Sequence, residues 1–139
     1  MYLLDTNVIS ATRRQTQHNL NVFKWLKTIN ERDLYTNAVV MMELERGVMA
    51  MERKDVQQGR ILRIWLDETV KPTFSGKILK VDEHTATICA KLHIPDHAPE
   101  NDAWIASSAI QHNLILVTRN VADFARTGVK LFNPFEFQS

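Results

Sequence analysis

Short apolar runs separated by stretches long enough to bring the chain back across a sheet most restrict how this sequence can fold. Tyr2–Leu4, Leu34–Thr36, Ile78–Val81, Leu114–Val117 and Val129–Phe132 each read as a strand. Between them, Leu20, Phe23, Leu26 and Ile29 recur at helical spacing, and so do Val40, Leu44, Val48 and Met51. Ile61, Leu62, Trp65 and Leu66 form another stripe, which is expected to stop near Pro72, with Asp55 as the cap at its start. Asp82 with Glu83 opens a helix through Ala90 and Leu92, and Asn101 or Asp102 starts one that runs to about His112. Consecutive parallel strands need crossovers of this length, so the order predicts an α/β sandwich with helices on both faces of a mainly parallel sheet.

Composition sets the scale. With 139 residues and 45% hydrophobic content, the chain has material for one core, and residues 1–139 are expected to form a single domain. Seventeen Lys and Arg balance sixteen Asp and Glu for a net charge of +1, short of the strongly basic footprint of a dedicated nucleic-acid binder. The lone Cys89 has no mate for an intrachain disulfide and reads as a buried bystander in a reducing cytoplasm. No basic segment with an apolar run precedes the first strand, and no apolar stretch is long enough to cross a bilayer. A soluble, unexported cytoplasmic protein with no membrane partner is the expectation.

A parallel sheet puts the carboxyl ends of its strands on one edge, where such folds bind their ligands. Asp5 follows the first apolar run directly, as the start of a polar turn with Thr6 and Asn7. The segment carrying Glu43, the loop before Asp102, and Thr118 to Asp123 with Asn120 are all expected at the same crevice. Ionised carboxylates gathered there repel one another, and a bound cation removes the conflict. Oxygen donors without His or Cys at ligand spacing favour Mg²⁺ or Mn²⁺ over Zn²⁺. His93 and His97 are four residues apart, but Pro95 between them argues against one helical face presenting both rings. A hard cation lowers the pKa of a bound water and neutralises charge on a phosphoryl oxygen, which is the chemistry of phosphodiester hydrolysis. Arg13, Arg14, Arg46 and Arg119 are candidates for contacts with the phosphates of a polyanion.

Each of these residues also has a plainer reading. Asp102 and Asp123 suit helix starts, Glu43 an exposed helix charge, Asn120 a turn, Thr118 a strand end, and the arginines a solvated surface. Trp25, Trp65 and Trp104 read as core or interface aromatics, and Met41, Met42, Met49 and Met51 as adaptable packing. A phosphatase of the haloacid dehalogenase type also begins with a strand ending in Asp, but it wants a second Asp where Asn7 stands, and an amide is no general acid.

LLDTNVIS from Leu3, Glu43 within MELERG, DAWIASSA from Asp102, TRNVADF from Thr118 and the terminal FNPFE occur in the order seen in PIN-domain ribonucleases. Together they cover nearly the whole chain and resemble the VapC and FitB toxins of bacterial toxin–antitoxin pairs. The resemblance implies a three-layer α/β/α domain with a five-stranded parallel sheet and a Mg²⁺- or Mn²⁺-dependent endoribonuclease. It also implies that RNA, with tRNA as one candidate, is cut by metal-activated water to leave a 5′-phosphate and a 3′-hydroxyl. A cognate VapB-like antitoxin is expected as inhibitor, with homodimers, toxin–antitoxin hetero-oligomers, and operator DNA reached only through the antitoxin. Residue by residue, Asp5, Glu43 and Asp102 match the three core acids, and Asn7 and Thr118 match polar residues that orient them. Some relatives have Asp where Asn120 stands, so Asn120 or Asp123 fills the fourth place. The segment between Leu92 and Asp102 is shorter than in many relatives and carries Pro95 and Pro99, which bears on substrate choice. The competing reading is a catalytically weak PIN-like module that binds RNA or antitoxin without turnover.

Overall fold

The computed structural model describes residues 1–138. Five strands, β1 (Tyr2–Leu4), β2 (Leu34–Asn37), β3 (Ile78–Leu79), β4 (Ile115–Val117) and β5 (Leu131–Phe132), form one sheet in the order β3-β2-β1-β4-β5. Every neighbouring pair is parallel. β1 lies at the centre, with Leu3 opposite Leu116 and Leu4 opposite Val117. Leu3, Leu116 and Val117 are fully buried. A central parallel strand covered on both faces needs apolar side chains on both, and this is why its sequence is a continuous run and not an alternation.

Eight α-helices surround the sheet: α1 (Thr6–Ala11), α2 (Leu20–Leu26), α3 (Ala38–Lys54), α4 (Val56–Trp65), α5 (Lys71–Thr73), α6 (Glu83–Leu92), α7 (Glu100–Gln111) and α8 (Val121–Phe124). Val8, Val22, Val40, Leu66, Ile105 and Phe124 lie on the faces these segments turn inward and are wholly buried in the main core. A smaller cluster of Cys89, Ala98 and Ala103 sits where α6 meets α7. α3 and α4 form an antiparallel hairpin so close that a Cβ at Gly59 would lie 2.4 Å from the Cα of Glu52. Asp55 caps α4 by accepting a hydrogen bond from the Gln58 backbone N–H at 3.1 Å.

Several boundaries differ from those the sequence suggests. The strands end up shorter, with Val81, Leu114 and Val129 outside them. The chain does not turn loosely at Thr6 and Asn7: it passes from β1 straight into α1, because Asp5 accepts the free Thr6 N–H at 2.7 Å and starts the helix. The helical stripe does end next to Pro72, at Thr73, but it is not one continuous α-helix. Leu66–Val70 form a π-helical turn, which leaves Pro72, with no N–H to give, in the first turn of α5. α7 begins at Glu100, with Pro99 at its cap position, so neither Asn101 nor Asp102 starts it. No helix among the described residues is long and apolar enough to cross a membrane.

Candidate active site

The carboxyl edge of the sheet gathers the acids. Asp5 leaves the end of β1, Glu43 lies in the second turn of α3 just after β2, Asp102 in the first turn of α7, and Asp123 in α8 after β4. Asn37 ties two of these elements together. Fully buried, it caps α3 by accepting the Val40 N–H at 2.9 Å and donates its own amide to Ser108 Oγ in α7, also at 2.9 Å.

Asp5 is 4% exposed and is held on three sides. Thr118 Oγ1 donates to its Oδ2 at 2.8 Å, Asn7 Nδ2 to the same oxygen at 3.3 Å, and the Thr6 N–H to Oδ1. Asn7 also donates to Thr118 Oγ1 at 3.2 Å and accepts the Arg119 N–H at 3.1 Å. The Asn120 N–H donates to Thr118 Oγ1 at 3.1 Å, so this asparagine's backbone supports the site, and its exposed side chain is free to face the crevice mouth or solvent. Burial pushes the Asp5 carboxyl above its ordinary value and the Glu43 charge adds to this, although the bonds from Thr118, Thr6 and Asn7 work in the other direction.

Glu43 is clasped by two residues that local pattern gave no reason to select. Thr6 Oγ1 donates to its Oε1 at 2.5 Å and Asn101 Nδ2 to its Oε2 at 3.2 Å. Thr6 and Asn101 each adjoin an acid in sequence, and that adjacency to Asp5 and Asp102 is the one signal that pointed to them. Asp102 is half-buried, and its carboxyl is pushed up to about 6, first by burial and then by the charges of Asp5, Glu43 and Asp123. No hydrogen bond and no Lys or Arg offsets that shift. The four acids therefore form one electrostatic unit, with Asp123 inside it and Asp102 the member that the protein leaves uncompensated.

This donor set fits a hard divalent cation. It offers carboxylate oxygens only, two of them braced by neutral hydroxyl and amide donors that fix direction without cancelling charge. Arg13 lines a cavity shared with Thr6 and Glu43, and Arg119 stacks on the Phe135 ring at 4.0 Å from its centroid. Arg14 is exposed, and Arg46 leans along α3 toward Met42, its Nη1 3.7 Å from the Met42 sulfur.

A second group of potential ligands lies apart from this set. Cys89 Sγ is 3.8 Å from His93 Nε2, and Glu100 Oε2 is 3.7 Å from both His93 Nε2 and His97 Nε2. Pro95 does keep the two histidines off one helix, yet the loop folds so that their rings stack at 4.4 Å. The Ala98 N–H donates to His93 Nδ1 at 3.0 Å, which leaves the ring proton of a neutral imidazole on Nε2, facing the thiol and the carboxylate. The Ala98 N–H and the Cys89 sulfur thus tie His93 between α6 and the 93–99 loop, with Glu100 nearby but beyond hydrogen-bond reach.

The PIN domain family matches residues 2–130. Toxin FitB of Neisseria gonorrhoeae is 36% identical, across 97% of this chain and 99% of its own. The VapC ribonuclease Y4jK of Sinorhizobium fredii is 28% identical, across 98% and 99%. In a solved structure of FitAB bound to an IR36 DNA fragment, one chain superposes with a TM-score of 0.88 at 31% identity, covering 100% of this chain and 99% of that one. Fold and sequence agree that the chain belongs to the PIN-domain family, in the group of the VapC and FitB toxins.

Proposed function

We propose that this chain is a divalent-metal-dependent endoribonuclease, the toxin of a type II toxin–antitoxin pair, acting as a single domain in the cytoplasm. The observation that carries the reading is Asp102: the charges of Asp5, Glu43 and Asp123 all act on it, and among the described residues no Lys or Arg offsets them there. Asp5, Glu43 and Asp102 are assigned as holders of a Mg²⁺ or Mn²⁺ ion, with Asp123, which shares their field, as the fourth acid in preference to Asn120. The ion, when bound, supplies an activated water and neutralises charge on the scissile phosphate. Thr118 and Asn7 keep Asp5 pointed into the crevice, and Thr6 and Asn101 do the same for Glu43. Arg13, Arg14, Arg46 and Arg119 are assigned to contacts with RNA phosphates around that point.

The relatives' names support the ribonuclease and toxin assignments. The structure of FitAB bound to a DNA fragment supports a partner protein and contact of the complex with DNA, and operator DNA reached only through the antitoxin belongs to the same proposal. Inhibition by a cognate VapB-like antitoxin and formation of homodimers follow from the same reading. Purified, antitoxin-free protein should cut total bacterial tRNA into discrete fragments in Mg²⁺ or Mn²⁺, and cutting should stop with EDTA or in Asp5→Asn. Products should carry 5′-phosphate and 3′-hydroxyl ends. RNA binding without metal-dependent cleavage would instead identify a binding module, a reading that Asn120 in place of an acid would suit.

A further inference from the structure

Beside the acids lies a cavity of about 340 Å³, lined by Thr6, Arg13, Glu43, Gly47, Leu62 and Trp65 among others. It shares Thr6 and Glu43 with the candidate active site, so whatever fills it lies next to the scissile phosphate. We infer that this cavity is a nucleobase subsite, which seats one base of a single-stranded RNA flanking the cleavage point. The inference rests on the ribonuclease reading above.

Gly47 gives access to the cavity by mutation. It sits in the interior of the seventeen-residue α3, where glycine costs about 0.5–1 kcal/mol relative to alanine. The other glycine of the hairpin, Gly59, is forced by packing, because a Cβ there would strike the backbone of Glu52. Gly47 is exposed at the rim of the cavity, and a Cβ there meets nothing within 4 Å, so a larger side chain at this position would extend over the cavity mouth without disturbing the packing.

The chemistry of the walls selects a base. Leu62 and Trp65 give an apolar surface, and Trp65 is half-buried, with part of it packed against the main core and the rest lining the cavity. An indole beside an apolar floor stacks well with a flat, uncharged aromatic ring. Arg13 at the edge suits the phosphate that follows the base. Arg13 is presented by an ordered turn: buried Asn19 donates to Ala11 O at 2.8 Å and Arg14 O at 2.7 Å, and accepts the Thr16 N–H at 2.7 Å.

The test titrates the Asp5→Asn protein with short single-stranded oligoribonucleotides in Mg²⁺, following labelled-RNA anisotropy and tryptophan fluorescence. RNA should quench the fluorescence, and Trp65→Phe should remove most of that quench. Adding Gly47→Leu should weaken RNA binding about tenfold and abolish the Trp65-dependent quench, while raising Tm because leucine is the better helix former. Gly47→Ala should raise Tm with a smaller loss of affinity. Equal RNA affinity with and without Gly47→Leu overturns the subsite. So does a Gly47→Leu protein that binds RNA normally but loses affinity for its antitoxin, since the cavity then serves a protein partner. Wild-type protein that cleaves RNA with the same efficiency and the same sites as Gly47→Leu removes the subsite and leaves the nuclease standing. Trp65-dependent RNA binding without cleavage by wild type does the reverse, and protein that neither binds nor cleaves RNA overturns both.

Discussion

Glu43 and Glu45 are two residues apart on α3, about 200° around the helix, and they meet opposite surroundings. Glu45 faces α4 and α5, where Lys71 Nζ and Arg63 Nη1 each reach it at 2.8 Å. These bonds hold its carboxyl below the ordinary value. Arg63 also pairs with Glu52 at 3.2 Å, and Lys71 with Asp67 at 2.8 Å, so every charge in that network has its opposite within the chain. Glu43 faces Asp5 and Asp102, is held by a hydroxyl and an amide, and adds its charge to theirs. One side of the helix closes its electrostatics internally. The other has acids that act on one another without such partners, which is where the proposed cation would sit, and that difference separates a residue that holds a hairpin from one assigned to chemistry.

The largest effect should come from breaking the open side. Asp5→Asn keeps shape and most hydrogen bonds but removes a charge, and cleavage should fall about a thousandfold or more, with the circular dichroism spectrum unchanged. Asp123→Asn should cost about ten- to a hundredfold in cleavage and Asn120→Ala much less, which assigns the fourth acid. A larger loss from Asn120→Ala would reverse that assignment.

Asn37 stands between the two sides, so its removal reports on the scaffold that both share. Asn37→Ala removes the α3 cap and the link to Ser108, and urea denaturation should show a loss of about 2 kcal/mol.

The two sides should also respond to pH with opposite signs. Asp102, raised from 3.8 to about 6 in the folded protein, binds its proton more tightly there than in the unfolded chain. Metal-free protein should therefore lose stability as pH rises from about 4 to 6, and Asp5 contributes in the same direction. Glu45 is shifted downward, so its contribution is present near neutrality and is lost as pH falls through its folded-state value. Melting of metal-free Asp102→Asn and Glu45→Gln across this range separates the two, since the first should flatten the loss on raising pH. The smallest effect belongs to Glu45→Gln at neutral pH: cleavage within about twofold of wild type, and a modest drop in Tm that shrinks in high salt.

Much of this was legible in the sequence because it is local. The apolar runs are continuous where strands are buried on both faces; Asp5 follows the first directly, Glu43 and Asp123 sit in the helices just after β2 and β4, and Asp102 lies in the first turn of the helix that leads back to β4, so strand order suggests the edge each should occupy. The losses have physical reasons. α1 is six residues long, too short to show a helical period, and reads as a turn. Thr6 and Glu43 are 37 positions apart, and Asn37 and Ser108 71 apart, so no window of sequence contains both partners of either bond. The stacking of His93 on His97 depends on how a proline-containing loop packs against Cys89 and Glu100, which spacing along a helix does not describe.

The central claim is that the acids at the sheet edge are a cation site left open by the chain. Calorimetric titration of Mn²⁺ into metal-free protein at neutral pH tests it directly, on wild type, Asp5→Asn, Asp102→Asn and Glu45→Gln. The account predicts saturable binding by wild type and Glu45→Gln, with a rise in Tm, and binding weakened at least tenfold in the other two. Equal binding by all four proteins, or none by well-folded wild type, would contradict it.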